Sequence, residues 1–408
     1  MLFAQLGLSQ PLLDALDKLG FSQATAIQTE AIPAILAKED LLASAQTGTG
    51  KTAAFGLPIL QQLLELGVLA QNQHDVKTLI LVPTRELALQ VQASLQGLSQ
   101  NTQLRVGIVY GGVSIEAQQA SLAKGLDILI ATPGRLLDHL NRGSLTLAKL
   151  THLVFDEADR MLDMGFMDEI HALMAQLPSS RQTLLFSATL DDSVLRFSRD
   201  LLTRPKRIET DQSNSAAKDI EQRVYAVDSD KKFALLCHLV TKGHWQRVLV
   251  FSRKKVAADK LAKHLNEKGI EASAFHGDLG QGTREQVLQR FKAGEIKVLV
   301  ATDVAARGID IQRLDYVVNY ELPFVAQDYV HRIGRTGRAG NKGVAVTLFS
   351  EDDALLLEEI EVSLDKRLPQ QWLPGFEPDL TKADPFAGRN SKSAQKRRAK
   401  KRGYRSKK

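Results

Sequence analysis

Eight consecutive residues in the first part of the chain could hold a phosphate group. They are Ala45-Gln46-Thr47-Gly48-Thr49-Gly50-Lys51-Thr52, between a short apolar run and an apolar helical segment. In such a strand, turn and helix, backbone N–H groups and the positive end of the helix dipole converge on an anion. Lys51 would neutralise the β- and γ-phosphates of a nucleotide, and the Thr52 hydroxyl would bind Mg²⁺. The alternative is an ordinary turn with an incidental lysine, but both glycines, Lys51 and Thr52 stand in register although Ala45 replaces the usual first glycine.

Acidic residues follow a second apolar run further along the chain. Leu153-Val154-Phe155 leads directly into Asp156-Glu157-Ala158-Asp159. In open α/β sheets, ligands bind at the carboxyl ends of strands. Asp156 would hold Mg²⁺ through water and Glu157 would polarise an attacking water, which together with a phosphate loop meets the needs of phosphoryl transfer. The alternative is an acidic helix N-cap favoured by the helix dipole.

Three arginines recur at a spacing of three near the end of the chain. Arg332, Arg335 and Arg338 would project from one side of a helix or turn. Arginines supplied by a neighbouring domain stabilise the charge on a transferring phosphoryl group. The alternative is a basic surface patch that binds RNA phosphates or solvent, and the spacing alone leaves both interpretations open.

The elements that must position these residues form two stretches of alternating apolar runs and helical patterns, as in parallel sheets with crossover helices. In the first stretch the predicted strands are residues 41–45, 78–82, 106–110, 128–131, 153–156 and 183–186. In the second stretch they are residues 223–227, 248–251, 272–275, 298–301, 316–319 and 344–348. Nearly continuous apolar strands are typical of a sheet buried on both faces. The sequence therefore predicts an α/β protein with two mostly parallel sheets, each with helices on both faces.

Length and composition limit the possible classes of protein. A chain of 408 residues is too long for one ordinary core, and its 44% hydrophobic and 25% charged content is typical of a globular protein. No apolar run reaches membrane-spanning length, and residues 1–19 lack the features of a signal peptide. The single cysteine, Cys237, excludes an internal disulfide and a cysteine-cluster zinc site. A cytoplasmic location without membrane partners is therefore expected.

Positive charge is concentrated at the C-terminus. Residues 389–408 contain 11 Lys/Arg and no Asp/Glu, so the rest of the chain is left with −5 of the total net charge of +6. This basic run, which has no aliphatic side chain larger than alanine, cannot build a core and is predicted to be disordered. Residues 211–218 are small and polar, which indicates a linker between the two stretches.

Taken in order, these motifs resemble those of the DEAD-box ATP-dependent RNA helicases of superfamily 2, of bacterial type. The further matches are Pro83-Thr84-Arg85-Glu86-Leu87-Ala88, Gly111-Gly112, Thr132-Pro133-Gly134-Arg135, Ser187-Ala188-Thr189, His276-Gly277-Asp278, Gln281 with Arg284, and residues 301–310. The resemblance implies two tandem RecA-like domains, with ATP between them. It covers roughly residues 1–368, with the first domain at residues 1–210, the linker at 211–219 and the second domain at 220–368. The remaining residues, 369–408, are predicted from their composition to be a disordered basic tail.

The resemblance also assigns roles that the residues alone do not reveal. Gln28 would recognise the N6/N7 edge of adenine, since a glutamine amide both donates and accepts, and Phe21 would stack on the base. Ala24 stands where proline is usual, so a looser turn is expected there. By resemblance, the other cofactor-binding residues are Gly308 and Asp310, and the residues that couple the motifs are Asp159, Ser187, Thr189 and His331.

RNA would be bound through backbone and small polar groups that carry no base information. In the first domain, the resemblance assigns this role to Pro83, Thr84, Arg85, Gly112, Thr132, Gly134 and Arg135. In the second domain, it assigns the role to Arg253, Gly277, Gln281, Arg284, Thr302 and Asp303. Lys254 replaces a threonine that is common in the family, which leaves the RNA contact there open.

The resemblance implies an RNA-dependent ATPase that uses ATP and Mg²⁺ to unwind short RNA duplexes locally or to remodel RNA–protein complexes. Two alternatives share its motifs, an ATP-gated RNA clamp that rarely unwinds and a DNA translocase. The expected partner is single-stranded or short duplex RNA, bound without sequence preference by the core. A monomer is expected, and ribosomal or RNA-decay assemblies are left open as substrates.

Overall fold

The computed structural model describes residues 1–45, 49–67, 75–209, 220–306, 314–337 and 343–379. The chain divides into two units, Met1–Ser213 and Asn214–Lys408. The boundary falls within the predicted linker. Within the described ranges, no helix is both long and apolar enough to cross a membrane.

The first unit is built on a seven-stranded parallel sheet. Its strands are β1 (Leu41–Ser44), β2 (Thr78–Leu81), β3 (Val106–Val109), β4 (Ile128–Ala131), β5 (His152–Asp156), β6 (Gln182–Ser187) and β7 (Lys206–Glu209). Its helices are α1 (Gln10–Lys18), α2 (Ala26–Leu36), α3 (Lys51–Glu65), α4 (Arg85–Leu98), α5 (Ile115–Leu122), α6 (Pro133–Asn141), α7 (Ala158–Asp163), α8 (Met167–Met174) and α9 (Asp192–Leu201). The strand order is β3-β4-β2-β5-β6-β1-β7. The ends of β5, β6 and β1 are therefore neighbours at the carboxyl edge.

The second unit repeats this strand order. Its strands are β8 (Ile220–Ala226), β9 (Val248–Phe251), β10 (Ala272–Phe275), β11 (Val298–Ala301), β12 (Tyr316–Asn319), β13 (Gly343–Phe349) and β14 (Gln370–Gln371). Its helices are α10 (Lys232–Lys242), α11 (Lys255–Glu267), α12 (Gln281–Lys292), α13 (Asp303–Ala306), α14 (Ala326–Ile333) and α15 (Ala354–Leu364). The order is β10-β11-β9-β12-β13-β8-β14, again all parallel. The prediction of two parallel sheets is confirmed.

Two edge strands were not predicted. β7 pairs with β1 and carries one buried residue, Ile208, and β14 pairs with β8 over two exposed glutamines. Neither presents the apolar run by which the other twelve strands were predicted. β14 also corrects the boundary of the tail, because residues 369–379 belong to the second unit, where Leu373 and Phe376 pack against its core. Residues 380–408 lie outside the described part of the chain.

Candidate functional site

Lys51 and Asp156 bring opposite charges to the carboxyl edge of the first sheet. α3 begins at Lys51, directly after Gly50, whose φ of 90° suits the turn that ends the phosphate loop. Lys51 is 6% exposed and Asp156 is 2% exposed. Among the described residues, neither Lys51 Nζ nor Asp156 Oδ1 has a hydrogen-bond partner. Burial raises the pKa of Asp156 to about 6, while the positive charge of Lys51 opposes that rise.

These orphaned groups fit a magnesium nucleotide. A buried charge without a partner is costly, so a bound cation beside Asp156 and phosphate oxygens beside Lys51 would satisfy both. Within the described ranges, no group of three or more His, Cys, Asp or Glu side chains forms a metal cluster. Mg²⁺ in nucleotide sites uses one or two carboxylates together with phosphates and waters. Asp156 and the half-buried Thr52 suit that role. The predicted ligands Gln46, Thr47 and Gly48 lie outside the described residues.

Glu157 is held in an unusual backbone conformation beside this pair. It is the N-cap of α7 with φ 60° and ψ 52°, in the left-handed region, and is 3% exposed. Arg160 Nη1 donates to Glu157 Oε2 at 2.5 Å. Sequence reasoning missed Arg160, although a basic residue three positions after an acid on a helix is a spacing that allows such contact.

Asp159 links the acidic motif to the end of β6. Its Oδ2 accepts hydrogen bonds from the Ala188 N–H at 3.2 Å and from the Thr189 hydroxyl at 3.4 Å. The Ser187 hydroxyl accepts from the Thr189 N–H at 3.4 Å, so Ser187 reaches Asp159 through Thr189. The structure therefore brings together the three coupling residues that were assigned to this unit.

Gln28 contacts the phosphate loop. Its Nε2 donates to the Gly50 carbonyl at 3.1 Å, and its Oε1 accepts from the Thr25 N–H at 2.9 Å. A Cβ on Gly50 would lie 2.3 Å from that Nε2, so the loop needs glycine here. The amide retains one N–H and one lone pair for a base.

The turn that precedes Gln28 is fastened to the N-terminus. The Ala24 N–H donates to the Met1 carbonyl at 2.9 Å. Proline could not make this bond, because it has no N–H. Ala24 therefore makes a contact that proline could not, and the looser turn expected there stays a prediction. Phe21 is 50% exposed, which leaves its ring accessible for stacking.

The RNA-binding residues predicted in the first unit follow the neighbouring strands β3, β4 and β2. A Cβ on Gly112 or Gly134 would meet no atom within 4 Å, so the backbone is open to close approach. The side chains are engaged within the unit. Thr84 Oγ1 accepts from the Leu87 N–H at 3.3 Å, Arg85 lies 4.4 Å from the Tyr110 ring centroid, and Arg135 donates to the Val113 carbonyl at 2.9 Å. Thr132 is the N-cap of α6, and Pro83 is buried.

Those predicted in the second unit follow β9, β10 and β11, which are also neighbours. The Arg253 N–H donates to Glu321 Oε2 at 2.7 Å, and its guanidinium lies 4.7 Å from the Phe324 ring centroid. The Lys254 side chain has no cap hydrogen bond, and the residue is extended where α11 begins. Gly277 is exposed, and Thr302 is buried at the end of β11.

The remaining side chains of this second group make contacts within their own unit. Gln281 Nε2 donates to Glu285 Oε1 at 2.8 Å. The Arg284 guanidinium lies 5.1 Å from the Phe275 ring centroid. Asp303 receives both the Nε and Nη2 of Arg332, at 2.5 and 2.8 Å.

The three arginines differ in their surroundings. Arg332 is 2% exposed, and besides Asp303 its Nη1 donates to Asn319 Oδ1 at 3.0 Å and to the Glu321 carbonyl at 2.6 Å. It therefore faces into the unit and not along a shared surface. Arg335 follows the end of α14 and lines a small cavity together with Asp303, Asp328 and His331. Arg338, Gly308 and Asp310 lie outside the described residues.

Comparisons with known proteins agree with this geometry. Residues 25–197 match the family model "DEAD/DEAH box helicase", and residues 231–340 match "Helicase conserved C-terminal domain". The ATP-dependent RNA helicase CshA of Listeria monocytogenes is 43% identical over 92% of this chain and 71% of its own. The corresponding protein of Geobacillus kaustophilus is 41% identical over 93% of this chain and 80% of its own.

Solved structures extend the comparison to the fold. Saccharomyces cerevisiae Dbp5 bound to RNA and ADP BeF3 aligns with a TM-score of 0.81 and 31% identity, over 92% of this chain and 95% of its own. Mss116p bound to ssRNA and AMP-PNP aligns with a TM-score of 0.82 and 29% identity, over 92% of this chain and 79% of its own.

Proposed function

The chain belongs to the DEAD-box family of ATP-dependent RNA helicases, and from that premise we propose how its residues divide the work. The enzyme hydrolyses ATP in an RNA-stimulated manner, unwinds short RNA duplexes locally and remodels RNA–protein complexes. The observation that supports this assignment best is the buried pair Lys51 and Asp156, whose polar atoms have no partner among the described residues.

Hydrolysis requires a water to attack the γ-phosphorus while the oxygen that bridges the β- and γ-phosphates leaves with ADP. Lys51 binds the β- and γ-phosphates, and Glu157 accepts a hydrogen bond from the attacking water and orients it. Thr52 and Asp156 would hold the Mg²⁺ that accompanies the nucleotide, and the ion would supply positive charge to the phosphate oxygens. We assign binding of the phosphates to the phosphate loop, residues 45–52, and selection of adenine to Phe21 and Gln28, with Gly308 and Asp310 as further nucleotide ligands.

The second unit contributes charge and coupling. We assign to Arg335 and Arg338 the stabilisation of negative charge on the transferring phosphoryl group, as arginines from a second domain do in related chemistry. His331, which lies beside Arg335 in the same small cavity, supports that arginine. In the first unit, the contact of Thr189 with Asp159 connects the end of β6 to the acidic motif.

RNA binds to the loops that follow β2, β3 and β4 in the first unit and β9, β10 and β11 in the second. Open glycines at positions 112, 134 and 277 permit close backbone approach, which supports binding without base preference. Dbp5 and Mss116p carry RNA in their solved structures, which supports the same partner here. We further propose a cytoplasmic monomer that acts on ribosomal or RNA-decay particles, and the single cysteine, Cys237, suits a reducing compartment.

The experiment that tests this function measures ATP turnover and strand displacement with a short RNA duplex. Glu157→Gln should keep ATP and RNA binding and lose turnover, because the amide cannot orient and deprotonate water as a carboxylate does. A kcat close to that of the unchanged protein would contradict the role of Glu157. RNA-stimulated turnover without strand displacement would instead favour the ATP-gated clamp, and equal stimulation by DNA would favour a translocase.

A further inference from the structure

Arg160, the third residue of α7, is buried directly beside the acidic motif. Its Nη1 lies 2.5 Å from Glu157 Oε2, and the two side chains are 2% and 4% exposed. Its Nε and Nη2 have no hydrogen-bond partner among the residues that the structure describes. Burying a guanidinium with two unsatisfied donors is unfavourable. The contact with Glu157 is therefore the feature that can explain why Arg160 is buried here.

Arg160 is tied to the backbone of Glu157 as well as to its side chain. The Glu157 carbonyl accepts from the N–H groups of Arg160 at 3.0 Å and Met161 at 3.2 Å. The left-handed conformation of Glu157 is unfavourable for a residue with a side chain, and persists only where its surroundings enforce it. The first turn of α7 and the ion pair together fix both ends of this glutamate.

Stability alone does not explain the pair. A buried ion pair gains little over apolar side chains of similar volume, because the desolvation of both ions offsets their attraction. The acidic motif also places three carboxylates, Asp156, Glu157 and Asp159, within four buried positions. Lys51 and Arg160 are the cations that act on Asp156 at this edge. An arginine fork gives direction to its partner in a way that a point charge does not.

We propose that Arg160 is a positioning residue for ATP hydrolysis, because it holds the Glu157 carboxylate in the orientation from which that carboxylate places the attacking water. This inference rests on the proposed role of Glu157. Without the guanidinium, the carboxylate is free to leave its orientation while the ligands of the phosphates, Lys51 and Thr52, stay in place. The loss should therefore appear in kcat and not in ATP affinity.

The test compares Arg160→Met, Arg160→Lys, Glu157→Gln and the double variant Arg160→Met/Glu157→Gln in the full chain. Arg160→Met should lower kcat at saturating ATP and RNA by about 10- to 100-fold, the loss typical of a reacting group misplaced by about 1 Å. Binding of a fluorescent ATP analogue should be nearly unchanged. Arg160→Lys should recover part of the rate, and the double variant should be no slower than Glu157→Gln, because residues that act through one another are not additive.

A matched control lies at the opposite edge of the same sheet. The Arg105 guanidinium pairs with the buried Asp127 at 3.3 Å, before β3 and β4 begin. Arg105→Met removes an ion pair in which the arginine is 36% exposed and the aspartate is buried, and should leave kcat unchanged. A kcat close to the unchanged protein in Arg160→Met would overturn the proposal, as would a double variant slower than Glu157→Gln. If Arg160→Met does not fold, a fully active Arg160→Lys with altered ATP affinity would overturn it. Normal turnover in Glu157→Gln would mark a different failure, that of the proposed role of Glu157.

Discussion

The two units share one strand order but differ in how the charged groups at their carboxyl edges are satisfied. In the first unit, Lys51 and Asp156 are buried, and Nζ and Oδ1 lack partners in the ranges that the structure covers. In the second unit, Arg332 is equally buried, and all three of its guanidinium nitrogens donate, to Asp303, Asn319 and the carbonyl of Glu321. Among the described residues, the first edge leaves these two atoms open to a ligand, whereas the network around Arg332 is complete without one.

This difference indicates that the first edge is suited to binding a ligand, whereas the second edge is ordered before any ligand binds. Polar groups that are left open and buried are destabilising until a ligand arrives, so the first edge gains most from a magnesium nucleotide. A satisfied network is rigid and places its neighbours before any ligand binds. Glu321 illustrates this, because it also accepts hydrogen bonds from the Ser252 hydroxyl at 2.9 Å and from the Arg253 N–H at 2.7 Å. In the second unit, Arg332 and Arg253 are thus held by hydrogen bonds within the unit.

The largest effect is expected from Arg335, which lines the cavity beside the satisfied network. Arg335→Ala should lower RNA-stimulated kcat by about 10³-fold or more, the loss typical of an arginine that stabilises a transferring phosphoryl group. ATP binding should stay near normal, since the proposed phosphate ligands lie in the first unit. Single-turnover hydrolysis at saturating RNA measures the effect. A change confined to RNA affinity would support the basic surface patch. Arg335 would then have no role in hydrolysis.

The next effect concerns stability and tests whether the Arg332 network is structural. Arg332→Met leaves Asp303, whose side chain is 22% exposed, without its partner and should destabilise the second unit by up to about 3–5 kcal/mol. Both tryptophans, Trp245 and Trp372, belong to this unit, so their fluorescence during urea unfolding reports on it alone. Arg290→Met is the control, since Arg290 forms an exposed pair with Glu295.

An exposed pair of that kind is worth at most about 1 kcal/mol. Equal urea midpoints for Arg332→Met and Arg290→Met would show that the buried network does not stabilise the second unit. The two edges would then differ in which groups are hydrogen-bonded but not in how much those bonds stabilise their unit.

Sequence reasoning succeeded where the pattern is local and failed where the partner is distant. The strands β4 and β11 agree with their predicted bounds because continuous apolar runs end where the sheet ends. The phosphate loop and the acidic motif fall together because both follow parallel strands, whose carboxyl ends share one edge. Short polar edge strands such as β14 have no such pattern.

The hydrogen-bond network around Arg332 could not be predicted from the sequence for a different reason. Arg332 and Asp303 are 29 positions apart, and nothing in either segment signals that one buries the other. The spacing predicted that Arg332 shares one side with Arg335 and Arg338, and the resemblance assigned Asp303 to RNA binding. Arg160 was missed because a basic residue on a short helix is usually solvated. Only the packing of α7 against the strand ends shows that its charge is buried.

The smallest expected effect is on how the stability of the first unit depends on pH. It follows from the burial of Asp156, whose Oδ1 has no hydrogen-bond partner among the described residues. Because burial raises its pKa from 3.8 to about 6, the folded state binds this proton more tightly than the unfolded state. The stabilising contribution of the proton is therefore complete below pH 4 and is lost as the pH rises through 6. At pH 7 without nucleotide, Asp156 costs the first unit about 3 kcal/mol, since each unit of pKa corresponds to about 1.4 kcal/mol.

Asp156→Asn should abolish nucleotide turnover and yet stabilise the nucleotide-free first unit at pH 7, with the gain vanishing towards pH 4. Amide hydrogen exchange of β5 between pH 5 and 8, corrected for the intrinsic rate at each pH, measures this difference. Asp303→Asn, which breaks a satisfied pair, should instead destabilise its unit at pH 7. A variant Asp156→Asn that is less stable than the unchanged protein at pH 7 would show that the first edge is already satisfied without a ligand.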